Sequence, residues 1–311
     1  MLSTLLFNSV NCPIEKKLHT SLLSRGVSIF VFLAGLLISG WAHADKGPIL
    51  AHQIYGSGPE KVLVTHSWID NANSFDQAKR YFNSDIFTFV FADLRGYGGS
   101  KNIEGHYTAK EAADDVMRLA DMLGWDRFHV IGHSMSGMIM QRLAIDDWTI
   151  GAKRVKSFIA VTPVSANGYP ADADTQAFLK NMVHNRPTLE MGISGLSGGR
   201  LLPAWHRTVS EKNMATSRPD AMLGYYKMWV ETDFSNEVKQ AKMQTPMLVI
   251  GGRQDLPGFQ EAQLRNTFVA WYPNVELQFI TDAGHFPMYE TPVYFASIVE
   301  KFLMKHIDTK S

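Results

Sequence analysis

Seven short apolar runs punctuate the chain, at 49–55, 61–65, 87–92, 128–132, 157–161, 247–250 and 276–280. Most lack polar alternation, the pattern of strands covered on both faces. Stretches with helical periodicity lie between or after them, at 109–123, 135–146, 260–271 and 292–305. Strand–helix alternation of this kind predicts an α/β fold: a mostly parallel central sheet with helices on both faces. One interval breaks the rhythm. From 166 to 243 there is no good strand run, only helical patterns such as 174–183 and 220–230 and a Gly-rich break at 192–199. We read it as an inserted helical cap over the carboxyl edge of the sheet, where open α/β sheets bind ligands. The expected organisation is an α/β core at 45–165 and 244–311 with a cap at 166–243.

The first 44 residues stand apart. The run from Val27 to Ile38 is uncharged, Lys16, Lys17 and Arg25 precede it, and Ala42-His43-Ala44 follows. A basic start, a short apolar run and a small-x-small site describe a secretory signal peptide cleaved after Ala44. The run is shorter than the ~20 residues of a spanning helix; an uncleaved anchor is the alternative. No cysteine follows the cleavage point and no twin arginine precedes the run, so we expect export as an unfolded chain without a lipid anchor. The destination is periplasmic or extracellular, with no stable membrane insertion after cleavage.

Composition narrows the chemistry. Thirty basic residues face 30 acidic ones in 311, against a large electrostatic footprint for nucleic acid. The one cysteine, Cys12, lies in the leader, so neither an internal disulfide nor a thiolate zinc site is available. No HExxH or comparable ligand spacing is present, and no metal or cofactor is expected.

Gly132-His133-Ser134-Met135-Ser136-Gly137 falls between an apolar run and a helical pattern. That is the context of a nucleophile elbow, a sharp strand-to-helix turn that exposes a serine hydroxyl and needs small neighbours. A serine capping a helix after a strand is the plainer reading. A serine hydroxyl is a weak nucleophile and needs a base oriented by an acid. His285, in Gly284-His285-Phe286-Pro287 after the last strand, is the best-placed histidine for the base. Asp255 is the only carboxylate in the loop Gly251–Pro257 after the preceding strand and is assigned as the acid; Asp282 is its competitor. An oxyanion hole needs two backbone N–H donors. We place them at Met135, after the nucleophile, and at Trp68, in the loop His66-Ser67-Trp68; a hydrogen bond within that loop is the plainer use of His66.

These residues resemble the α/β-hydrolase fold superfamily, in its group with a helical cap. Asp93-Leu94-Arg95-Gly96-Tyr97-Gly98-Gly99-Ser100 is similar to that group's D-x-R-G-x-G-x-S turn, and His66-Ser67-Trp68 to its H-G-x oxyanion loop. Gly132–Gly137 matches its elbow, and Gly284-His285-Phe286-Pro287 its histidine loop. The resemblance implies a Ser134–His285–Asp255 triad. Two positions depart from it: Ser67 and Ser136 stand where the group usually has glycine. The Ser67 hydroxyl could point into the site, and Ser136 should crowd the turn. A serine at the nucleophile position argues against haloalkane dehalogenase and epoxide hydrolase chemistry, which the group runs with aspartate.

The cap sequence supplies Met182, Met191, Trp205, Met214, Met222, Tyr225, Tyr226, Met228, Trp229 and Phe234. Such side chains build adaptable apolar walls, and we expect about a third of them at the pocket. Ser67, Trp205, Trp229 and Phe286 are the substrate-binding candidates. The reading that follows is an exported, cofactor-free serine hydrolase for a small apolar or aromatic ester or lactone. Aminopeptidase or amidase, cofactor-free haloperoxidase and C–C hydrolase activities on the same triad are alternatives. So is a non-catalytic receptor for a small molecule. An aminopeptidase would need carboxylates to grip an amine, for which the cap offers Glu190, Glu211 and Glu231.

Overall fold

The computed structural model describes residues 47–307. The signal-peptide reading of 1–44 lies outside them. Seven strands run in chain order: His52–Tyr55 (β1), Glu60–Thr65 (β2), Phe87–Ala92 (β3), Phe128–His133 (β4), Val155–Val161 (β5), Met247–Gly252 (β6) and Val275–Ile280 (β7). The helices are Asp76–Lys79 (α1), Ala109–Met122 (α2), Met135–Thr149 (α3), Ala173–Met182 (α4), Arg186–Leu196 (α5), Pro203–Thr216 (α6), Pro219–Glu231 (α7), Ser235–Ala241 (α8), Glu261–Leu264 (α9), Pro287–Glu290 (α10) and Pro292–Met304 (α11).

The strands form one sheet in the order β1-β3-β2-β4-β5-β6-β7. Only β1 is antiparallel, paired with β3; every other neighbour is parallel. The uniformly apolar runs occupy the centre: every residue of β3, β4, β5 and β6 is buried, while edge strands β1 and β7 are half-exposed. After β3 the chain crosses β2 and continues on its other side, so the order reverses between β2 and β4. The crevice beyond the carboxyl ends of strands at such a reversal is the binding position of open α/β sheets. The loop after β2 begins at His66 and β4 ends at His133, so the candidate oxyanion loop and elbow both meet there.

Helices α4 to α8 fill the interval between β5 and β6 without a strand. They pack with the sheet as one compact unit. Two details differ from the sequence reading. Gly192 and Gly195 do not break a helix; they lie inside α5, which ends at Leu196. Gly192 faces α4, where a Cβ would fall 2.5 Å from the Met182 methyl. Its value is small size at a helix crossing, which outweighs glycine's low helix propensity. The expected helix at 260–271 is also irregular: α9 gives way to a π-type turn over Arg265–Val269.

Candidate active site

Ser134 joins β4 to α3 with φ 57° and ψ −117°, a conformation that costs a non-glycine residue about 1–3 kcal/mol. Its surroundings over-determine it. The Ser134 N–H donates to Val161 O at 2.9 Å, and its carbonyl accepts from Gly137 at 2.8 Å and Val164 at 3.0 Å. Gly132 makes the turn sterically possible, since a Cβ there would lie 2.3 Å from Ser136 O. The Ser134 hydroxyl donates to Nε2 of His285 at 2.8 Å, and Nδ1–H of His285 donates to Oδ2 of Asp255 at 2.7 Å. All three side chains are buried. Burial pushes the Asp255 carboxyl up; the imidazole beside it and the Leu256 N–H on its other oxygen (2.7 Å) oppose that shift. Asp282, the competing acid, is exposed, and only its carbonyl is engaged, by Arg200.

The histidine's backbone is held from three sides. Its N–H donates to Leu196 O at the end of α5 (2.8 Å). Its carbonyl accepts from Nε2–H of His133 at 2.7 Å and from Thr162 Oγ1 at 3.0 Å. Thr162 itself has φ 40°, the second strained non-glycine residue beside the triad. Burial holds the His133 imidazole well below its ordinary range, so it is neutral. Neither His133 nor Thr162 was given a role from the sequence; His133 entered only as a variable position of the elbow, and no local pattern marks either residue as a support of His285.

The loop after β2 is equally constrained. Nδ1–H of His66 donates to Ser67 O at 2.7 Å, and its Nε2 accepts from the Leu94 N–H at 3.0 Å. That pair fixes one neutral tautomer, and burial lowers the His66 pKa in the same direction. The Ser67 carbonyl and the Trp68 N–H share a trans peptide plane and point opposite ways. Anchoring the carbonyl on His66 therefore aims the Trp68 N–H away from that ring. Tyr97 fixes the next peptide by donating to Trp68 O at 3.0 Å, and the Trp68 indole donates to Met222 O of α7 at 2.8 Å. Both serines that replace glycine are put to use. Ser67 donates its hydroxyl to Ile69 O within the loop rather than into the site. Ser136 does not crowd the turn; its hydroxyl ties α3 to the loop through His66 O.

Ser134 and His285 open on a cavity of about 110 Å³ between sheet and cap. Of the four substrate-binding candidates, Ser67, Trp229 and Phe286 line it and Trp205 does not. That indole stands edge-on behind Phe286 (centroids 5.7 Å apart) and Tyr289 (5.8 Å), supporting the wall from outside. Of the ten Met and aromatic residues named in the cap, only Met182 and Trp229 reach the cavity. Its wall is built instead from Phe178, Leu179, Leu196, Leu256 and Phe259, whose sequence context marks them as ordinary core. Among the described residues, no Asp, Glu, Lys or Arg lines it. Glu190 and Glu211 are taken up by Arg186.

The chain belongs to the alpha/beta hydrolase fold family, whose description matches residues 61–292. Fluoroacetate dehalogenase of Burkholderia sp is 31% identical over 107 residues, which are 33% of this chain and 35% of that protein's own length. Among solved structures, the esterase EaEST of Exiguobacterium antarcticum superposes with a TM-score of 0.71 at 16% identity, covering 82% of this chain and 95% of that one. Est816, described as an N-acyl homoserine lactone degrading enzyme, superposes with a TM-score of 0.67 at 22% identity, covering 81% and 96%. At those identities the two structures establish the shared fold.

Proposed function

We propose that this hydrolase-fold protein is a serine hydrolase that cleaves a carboxylic ester or lactone of a small apolar or aromatic compound. One observation carries the reading: the hydrogen-bonded chain Ser134–His285–Asp255 opens on a cavity without charged lining. The Ser134 Oγ attacks the substrate carbonyl while Nε2 of His285 takes its proton. The N–H groups of Met135 and Trp68 hold the oxyanion, aided by the positive end of α3. His285 then protonates the departing alkoxide oxygen, leaving an acyl-serine. A water deprotonated by His285 attacks that acyl group; the acid leaves and Ser134 recovers its proton. Asp255 keeps the imidazole in the required tautomer and stabilises the imidazolium.

Uncharged walls support an ester or lactone over an amino-acid amide, whose ammonium would need a carboxylate. They equally disfavour a charged acid such as fluoroacetate, which would need a cation. The esterase and lactone-degrading neighbours are consistent with this choice. Export is proposed on the leader alone, so the secreted protein should begin at Asp45 when its N-terminus is sequenced.

A panel of aryl esters, alkyl esters, acyl-homoserine lactones and amino-acid arylamides tests the class. Multiple turnovers are expected on short or aromatic esters or lactones, with stoichiometric labelling by a fluorophosphonate. Absence of both turnover and labelling would sink the reading and favour a receptor.

A further inference from the structure

We propose that Glu290 is a positioning residue for His285 and that Arg200, carried by the cap, holds Glu290 in that role. The inference rests on the serine-hydrolase reading and adds to it a residue outside the triad. Every backbone N–H of the histidine loop is claimed. Gly284 donates to both oxygens of Glu290 at 3.0 Å and Phe286 donates to Oε1 at 3.1 Å, while His285 between them donates to Leu196 O. Arg200 closes the carboxylate from outside through Nη2 and also donates to Asp282 O at 3.2 Å. The fit with the cap is close: a Cβ on Gly284 would lie 2.4 Å from Leu196 O.

The Glu290 side chain is 1% exposed, yet it accepts from three groups and so is suited to the ionised form. A protonated carboxyl would turn one oxygen into a donor facing donors and release part of the loop. His285 must reach Ser134 and Asp255 at once, and an error of about 1 Å in such a geometry can cost about 10²-fold in rate. The charged groups acting on Glu290 are Arg200 from the cap and Asp255 from the acid loop. Burial raises the Glu290 pKa, with Asp255 adding to that; the Gly284 and Phe286 N–H groups and Arg200 oppose it.

The test compares Glu290→Gln, Arg200→Gln, the double variant and Ser134→Ala in the full chain, with folding checked by circular dichroism and Tm. Glu290→Gln should lower kcat about 10–100-fold with KM within two-fold. Arg200→Gln withdraws a cation from Glu290, so the carboxylate protonates at higher pH. The acidic limb of kcat/KM should then move up by about half a pH unit or more, and the same change in the Glu290→Gln background should move it no further. A folded Glu290→Gln with kcat within two-fold of wild type overturns the assignment, as does an Arg200→Gln profile superimposable on wild type. If Glu290→Gln does not fold, the Arg200→Gln profile decides. The Nδ1–H proton of His285, followed by NMR, reads the His285–Asp255 bond without turnover; it should shift or broaden in Glu290→Gln, and an unchanged signal counts against the role. If Ser134→Ala keeps hydrolysis intact, the serine-hydrolase reading falls and the NMR arm still judges Glu290. If Ser134→Ala abolishes it while Glu290→Gln is as active as wild type, the positioning role falls alone.

Discussion

Strand β4 serves two Ser–His–acid constellations, one at each end. At its carboxyl end stand Ser134, His285 and Asp255. Near its amino end, His129 meets Ser157 Oγ of β5 at 2.7 Å through Nδ1 and faces Glu60 Oε2 of β2 at 3.4 Å through Nε2. As residue types the two groups are interchangeable, and as physical objects they are opposites. Ser157 lies in extended strand backbone with no exposed surface, so no substrate can reach its hydroxyl. Ser134 lies on a strained turn at a helix N-terminus and borders a cavity. Lys156 takes the same Glu60 oxygen that faces His129, so that acid is shared rather than dedicated. Asp255 has the imidazole at 2.7 Å and the Leu256 N–H on its other oxygen. The lesson is that a triad is made by access, strain and a dedicated acid; a list of three residue types does not make one.

The largest effect that separates the two ends is on turnover. Ser134→Ala should lower kcat/KM about 10⁴-fold or more, with the fold retained by circular dichroism. Ser157→Ala should leave kcat/KM within two-fold; a large loss there would break the comparison. What Ser157→Ala should cost is stability, about 1–3 kcal/mol by urea titration, because it leaves a buried imidazole nitrogen unpaired.

A smaller effect is pH-dependent. Burial is the largest cause of the lowered pKa of His66, His129 and His133, with His129 pushed down to about 4. The unfolded chain takes up protons near pH 6.5 that the folded chain refuses. Stability present above that pH is therefore lost as pH falls, for His129 down to about 4. Each refused proton is worth about 1.4 kcal/mol per pH unit. Asp255 and Glu290 act in the opposite sense, because their raised pKa values let the folded chain bind protons first. Burial also lowers the pKa of His206 and His306, so five imidazoles stand against two carboxyls and urea midpoints should still fall between pH 7 and pH 5; a flat series would contradict the buried neutral histidines. The smallest expected effect is none at all: His129→Gln should lessen that acid sensitivity while leaving the pH–rate profile unmoved.

What could be read from the chain alone follows the same division. Burial on both faces leaves a direct mark, an unbroken apolar run, on the central strands; the half-exposed edge strands β1 and β7 carry mixed runs, and the observed ends of all seven differ from the sequence reading by only a few residues. Ser134, His285 and Asp255 were visible because each sits just beyond such a run. The pocket wall was not, because facing a cavity and facing the core demand the same side chains. Phe178 and Leu179 line the cavity while Trp205 stands behind it, and only the packing of α4, α5 and α6 decides which. Glu290 left a faint mark: a glutamate in a helix opened by Pro287, reaching back to N–H groups before the helix, much as a capping box does one residue earlier.

The hydrogen bond from the His285 N–H to Leu196 O has a bearing on how this protein can be re-engineered. An inserted cap invites replacement as a module, with the junctions placed at the ends of β5 and β6. Here the last turn of α5 belongs to the catalytic frame as much as to the insert. A chimera that exchanges α4, α7 and α8 while keeping the stretch from Leu196 to Arg200 conserves the carbonyl and the guanidinium that hold the histidine loop. One that exchanges the whole interval must supply both anew.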